Sequence, residues 1–220
     1  MINIPLLRQM PLFDGIADAD LENLVNCLNP QMLSFFKNEL IYSVGDIVTH
    51  ISVILSGSVR IITEDYAGNT DISDIMRPGE IFGDICAGNQ KSEIAARAAE
   101  RTQIMTIEYH KLAGICQSGC NHHTQALDNL IRVLAVKNRA LCEKMQILQK
   151  RTTREKLIAY LYVHAKRADS SKFNIPLNRA GLSEYLCIDR SAMSRELCKM
   201  RDEGLLEFYK SSFILMNIEQ

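Results

Sequence analysis

The segment "NRAGLSEYLCIDRSAMSREL", residues 178–197, joins two helix-like runs through a short break. Asn178 can cap the first run, whose Leu182, Tyr185 and Leu186 recur on one face. "CID" makes the turn, Asp189 can cap the second run, and Met193, Leu197 and Met200 fall on its inner face. The helical period then sets Ser191, Arg195 and Asp202 on the opposite stripe, with Arg190 and Ser194 at its edges. A helix carrying arginine and hydroxyl groups in its first turns suits the major groove of DNA. There arginine donates two hydrogen bonds to guanine, and serine bonds several bases or a phosphate. Asn178, Arg179 and Lys199 flank this stripe and are candidate contacts as well.

This segment lies in the basic part of the chain. Residues 1–149 carry 12 Lys/Arg against 17 Asp/Glu, whereas residues 150–210 carry 13 against 8. A basic C-terminal third on an acidic front is the pattern of a polyanion-binding module attached to something else, although a solvated basic surface gives the same count. The start "MINIPLLRQMPLF" lacks the basic region and long apolar core of a signal peptide, and no run approaches the length of a membrane span. The expectation is a cytoplasmic protein with no membrane partner. Seven cysteines, an odd number scattered along the chain, fit reduced thiols better than a disulfide framework.

Three regions are expected: a β-rich domain over 1–120, a long helix over 121–149 and a second domain over 150–220. After a helix near 18–28, the runs "ELIYSV", "ISVILSG", "SVRIIT" and "AARAAERTQIMTIE" are punctuated by Gly45, Gly57, Gly68 and Gly79. That regular punctuation predicts an antiparallel sandwich or roll. In the long helix Leu127, Ile131, Leu134, Leu141, Met145 and Leu148 alternate at four and three residues, with Asn138 completing the ladder. Such a seam with one polar position predicts a parallel two-stranded homodimer; a single helix covering the β-domain is the alternative. Basic helical sequence follows from "RTTREKLIAYLYVHAKR", and a hairpin from "LLEFY" and "FILMN" closes the chain after Gly204. No arrangement of Ser, His and carboxylate residues forms a recognisable catalytic motif, so an enzyme is not expected.

The chain resembles the Crp/Fnr family, the cyclic-AMP receptor protein and its relatives, over nearly its whole length. The resemblance is carried by "PLFDGI", "PGEIFGD", "RTTREKLIAYL" and "NRAGLSEYLCIDRSAMSRELCKMRDEGLL". It implies an α+β architecture: an N-terminal cyclic-nucleotide-binding-like β-roll (jelly roll), a long dimerisation helix and a C-terminal winged helix-turn-helix. It also implies a bacterial transcription regulator that reads a palindromic promoter site, responds to a small-molecule effector and meets RNA polymerase. By the resemblance, Arg190, Ser194 and Arg195 fall on the base-contacting positions. Ser191 stands where many members have Glu, so the half-site departs from theirs. Cys187 replaces the usual turn glycine, which strains the chain if that position needs positive φ.

The effector is less determined. Members that bind cyclic AMP hold it with a Glu, an Arg-Ser pair and a Thr-Ser pair on the dimer helix. Here the matching stretch is Gly83, Asp84, Ile85 and Cys86, then Lys91 and Ser92; the helix positions are Leu141 and Cys142. Cyclic AMP is therefore disfavoured, and the cofactor stays unknown. An iron–sulfur cluster of the Fnr type is not expected, since only Cys27 lies in the N-terminal region. "CQSGCNHH", with Cys116, Cys120, His122 and His123, is an alternative redox, haem or metal sensor. Its spacing matches no standard finger, and the two histidines would face different directions on a helix.

Overall fold

A computed structural model of the chain describes residues 4–64, 70–83, 91–113 and 122–216. The chain forms two compact units, Met1–Ala135 and Val136–Gln220. The first opens with α1 (Ile4–Leu7), a 3-10 turn at Pro11–Phe13 and α2 (Asp18–Leu28). Eight strands follow among the described residues: β1 (Gln31–Phe35), β2 (Leu40–Tyr42), β3 (His50–Ser56), β4 (Val59–Glu64), β5 (Thr70–Met76), β6 (Ile81–Phe82), β7 (Ile94–Ala98) and β8 (Thr102–Glu108). They make two antiparallel four-stranded sheets, ordered β1-β8-β3-β6 and β2-β7-β4-β5.

Strand alternation divides the apolar side chains between two cores. On β3, Ile51 and Val53 pack with the helices, together with Leu21, Leu24, Met105 and Ile107. Ile54 turns the other way and joins Val59, Ile61, Phe82 and Ile104 between the sheets. Gly57 makes the β3–β4 turn at φ 80°, and a Cβ there would come within 2.5 Å of the Arg101 carbonyl oxygen. Only glycine tolerates both conditions.

After α3 (Tyr109–Ala113), the long helix α4 (His122–Leu148) contributes to both units. Ala126 and Leu130 enter the helix-side core of the first, and Ile147 enters the core of the second. The second unit continues with α5 (Thr153–Ala168), β9 (Lys172–Asn174), α6 (Arg179–Tyr185), α7 (Arg190–Asp202), β10 (Leu206–Tyr209) and β11 (Ser212–Leu215). Its sheet is ordered β10-β11-β9. The α+β architecture expected from the sequence is present. Strands β1, β5, β6 and β9 were not foreseen, and the run at 95–108 splits into β7 and β8 around a turn.

Candidate nucleic-acid interface

Capping sets the two helices in place. The Asn178 side chain accepts a hydrogen bond from Gly181 N at 2.9 Å, and Asp189 accepts from Ala192 N at 2.8 Å. Each satisfies one of the donors left open at a helix start. Between the helices Cys187 sits at φ 51°, the left-handed conformation that usually favours glycine. Its exposed thiol lies on that turn.

Beneath α7, Met193, Leu197 and Met200 are buried with Leu157, Leu161, Leu182 and Phe213. Each large side chain of this kind contributes roughly 1.5–3 kcal/mol on burial. Above them Arg190, Ser191, Ser194, Arg195, Cys198 and Lys199 are all exposed. Ser194, Arg195, Cys198 and Lys199, with Asp202 and Glu203, line a shallow concavity.

The serine hydroxyls are already committed as donors. Ser191 Oγ donates to the Asp189 carboxylate, and Ser194 Oγ donates to the Arg190 carbonyl at 2.9 Å. Because those partners only accept, both serines present oxygen lone pairs outward. The bonds from Ser191 and the Ala192 amide hold the Asp189 carboxyl below its ordinary pKa.

Charged groups on α5 anchor α7 and the end of α6. Arg154 donates from Nε to Glu196 at 2.6 Å and from Nη2 to Glu203 at 2.7 Å. Lys156 Nζ meets the Leu186 carbonyl at 3.1 Å, closing the end of α6. These partnerships were not read from the sequence, since 42 residues separate Arg154 from Glu196.

Arg179 differs from the other candidates. Its Nη1 and Nη2 are buried, and its Cζ lies 4.6 Å from the Phe208 ring centroid and 5.2 Å from that of Phe213. At the far end of the β10–β11 hairpin, Tyr209 is 74% exposed and Lys210 takes φ 53°. Neither wing residue was singled out beforehand, because a hairpin turn of this kind carries no spacing signal for DNA.

Of the effector candidates, Gly83, Lys91, Ser92, Leu141 and Cys142 lie among the described residues. Asp84, Ile85 and Cys86 lie outside the described residues. Gly83 has φ 81°, and a Cβ would stand 2.9 Å from the His50 carbonyl oxygen. Lys91 is exposed, whereas Ser92 is buried with its hydroxyl donated to the Ile94 carbonyl at 2.7 Å. Ser52, unremarked in the sequence, is fully buried without a hydrogen-bond partner for its oxygen among the described residues. Leu141 and Cys142 are exposed on α4.

Cys116 and Cys120 are outside the described residues. His122 Nε2 meets Asp20 at 3.1 Å, while His123 is buried with Nδ1 3.1 Å from the Lys111 carbonyl oxygen. The two rings take different partners, and no group of three metal-ligating side chains forms among the described residues.

Along the α4 seam, Ile131 (57% exposed), Leu134 (37%), Leu141 (66%) and Met145 (55%) face outward, and Asn138 is exposed between them. Leu127 is partly buried against the helix-side core of the first unit, and Leu148 is half-buried.

Residues 32–118 match the cyclic nucleotide-binding domain family, and residues 155–220 match the Crp-like helix-turn-helix domain family. The transcriptional activator protein FnrA of Stutzerimonas stutzeri is 23% identical over 204 residues, covering 90% of this chain and 80% of that relative. The catabolite activator protein of Thermus thermophilus shares the fold at TM-score 0.51 and 20% identity, covering 94% and 93% of the two chains. A CooA variant from Carboxydothermus hydrogenoformans does so at TM-score 0.60 and 17% identity, covering 99% and 93%. No helix among the described residues is long and apolar enough to cross a membrane. With a nucleotide-binding-type roll ahead of a capped helix-turn-helix, each matched by its own domain family, the chain belongs to the Crp/Fnr family of DNA-binding transcription regulators.

Proposed function

We propose that the chain is a cytoplasmic, non-catalytic homodimer that reads a palindromic promoter site with α7 and is gated by a small molecule bound in the β-roll. The observation that carries this reading is the exposed face of α7, where Arg190, Ser191, Ser194, Arg195 and Lys199 stand over the buried Met193, Leu197 and Met200. Arg190 and Arg195 supply forked donors for guanine O6 and N7, and Lys199 supplies charge for a phosphate. Asn178, exposed at the start of α6, is a further candidate contact. Serine oxygens presented as acceptors favour the exocyclic amino group of cytosine or adenine over a guanine edge.

The outward apolar positions Ile131, Leu134, Leu141 and Met145 support a parallel pairing of two α4 helices, with Asn138 setting register. Leu127 and Leu148 would close that seam at its ends. A two-fold pair of α7 helices would meet successive major grooves about 34 Å apart. The effector domain is residues 1–120, α4 the dimerisation element and residues 150–220 the DNA-binding domain. RNA polymerase is the expected protein partner. The effector contacts fall on Gly83, Asp84, Ile85, Cys86 and Lys91. Ser92 is a weak candidate because its hydroxyl is engaged.

Fluorescence anisotropy with a pool of palindromic duplexes tests this reading. Enrichment of one palindrome supports it, and equal retention of all duplexes by a folded protein contradicts it.

A further inference from the structure

The last turns of α4 belong to the second compact unit, Val136–Gln220. In sequence, residues 149–152 join them to α5. One side of these turns carries the seam residues Leu141 and Met145, both exposed. With about 3.6 residues per turn, Glu143, Lys144 and Ile147 fall on the other side. All three engage the DNA-binding unit. Ile147 is buried in its core with Leu157, Leu161 and Leu182. The Glu143 carboxylate accepts from Arg167 Nη2 in the last turn of α5. Lys144 Nζ lies 5.1 Å from the centroid of the Tyr185 ring, at the end of α6.

Tyr185 is held from a second direction. Its ring meets the buried Tyr160 of α5 edge-on at 5.3 Å, and Tyr160 in turn lies 4.5 Å from the His164 ring. Burial pushes the Tyr160 phenol up to about 12, so that ring stays a neutral packing face. Edge-on ring pairs and a cation over a ring face have preferred geometries, unlike aliphatic contacts, which slide. A four-residue turn by itself would let α4 pivot against α5. The ion pair and the ring stack remove that freedom from three helices at once. Leu182 and Leu186 of α6 share one core with Met193 and Leu197, which extends the rigid body to α7. The seam residues and the recognition helix therefore sit on one body within the second unit.

Resting on the proposed pairing of α4 helices and reading of DNA by α7, we propose that Tyr185 is a positioning residue that sets the half-site spacing a dimer accepts. Lys144 and Tyr160 hold its ring, and the Glu143–Arg167 pair backs it. It acts through α6 and α7, not through contact with DNA. Moving a half-site by one base pair shifts it about 3.4 Å along the duplex and turns it by roughly 35°. A rigid spacer rejects such a shift, and a loose one absorbs it.

The test uses palindromes with identical half-sites whose separation varies one base pair at a time. Anisotropy is measured for full-length wild type, Tyr185→Ala, Tyr185→Phe and the double variant Lys144→Ala, Arg167→Ala. Each is also measured on a duplex with a single half-site, and its oligomeric state is read by sedimentation velocity. Wild type should favour one separation at least about tenfold over its neighbours, because a separation that forbids simultaneous engagement forfeits the avidity of the pair. Tyr185→Ala and the double variant should remain dimers with wild-type affinity for a single half-site, while that ratio falls below about threefold. Tyr185→Phe keeps the ring and should keep the ratio. A Tyr185→Ala dimer that retains the full ratio, with only a lower melting temperature or uniformly weaker binding, overturns the proposal. So does loss of the ratio in Tyr185→Phe, and so does a variant that becomes monomeric, which assigns the residue to pairing itself. Should Tyr185→Ala not fold, the double variant decides by the same ratio, since Lys144 is half-buried and Arg167 exposed. A wild-type dimer that binds all separations alike also overturns the proposal. A wild type that is monomeric or binds no palindrome fails the underlying reading instead, visible before any variant is made.

Discussion

Arg154 Nε lies 2.6 Å from Glu196 Oε1, tying the first turn of α5 to the middle of α7. The fork is completed by Glu203, and this pairing holds the Glu203 carboxyl below its ordinary pKa near 4.5. The pair's contribution is then complete above that ordinary value and is lost as pH falls through the lower folded value. Arg154→Ala should melt at a lower temperature than wild type at neutral pH, and the gap should narrow on acidification from about pH 5 to about pH 3. Thermal melts across that range check the sign. A gap that widens on acidification would assign the effect to another group.

Arg190 and Arg195 are the forked donors on the exposed stripe of α7, and neither has an ion-pair partner among those described. On the proposed function each makes a bidentate base contact, so alanine at either position should weaken binding by about 1–3 kcal/mol, or roughly 5- to 150-fold. Titration of the preferred palindrome should show that loss, while circular dichroism and the melting temperature stay at wild-type values.

The α4 seam makes a separate prediction about assembly. Leu141→Asp puts a carboxylate in the middle of the apolar stripe and should convert the proposed dimer to a monomer in sedimentation velocity. Leu141 is 66% exposed in the single chain, so the same change should leave the fold of each unit intact. A dimer that survives Leu141→Asp would place the interface elsewhere.

Cyclic AMP should neither bind measurably by calorimetry nor alter DNA affinity. Ser92 spends its hydroxyl on the Ile94 carbonyl, and the helix positions Leu141 and Cys142 offer no purine-binding set. Micromolar binding would show that Lys91 and the residues at 84–86 suffice without them.

The helix-turn-helix was legible because its determinants are local. Caps at Asn178 and Asp189, the period of Met193, Leu197 and Met200, and the tight turn at Cys187 each act within a few residues. The same holds for α2 and for most of α4. What escaped depends on distant pairing. Strand β9 exists because Phe173 pairs with Phe213. β1 is almost wholly exposed and carries no alternation, so its strand character comes from pairing with β8. The burial of the Arg179 Nη atoms was not legible in the sequence, because the rings beside them, Phe208 and Phe213, lie about thirty residues further along the chain. Effector contacts suffer most, because family positions on the roll are filled here by residues of different chemistry.

Sequence-specific recognition of DNA by α7 is measured by competition anisotropy. A labelled palindrome selected from the pool is bound by wild-type protein and challenged with unlabelled palindrome or with a scrambled duplex of equal length at near-physiological salt. The scrambled duplex should compete at least about 1,000-fold less effectively. Equal competition by the two duplexes would contradict it and reduce the basic C-terminal unit to a non-specific polyanion surface.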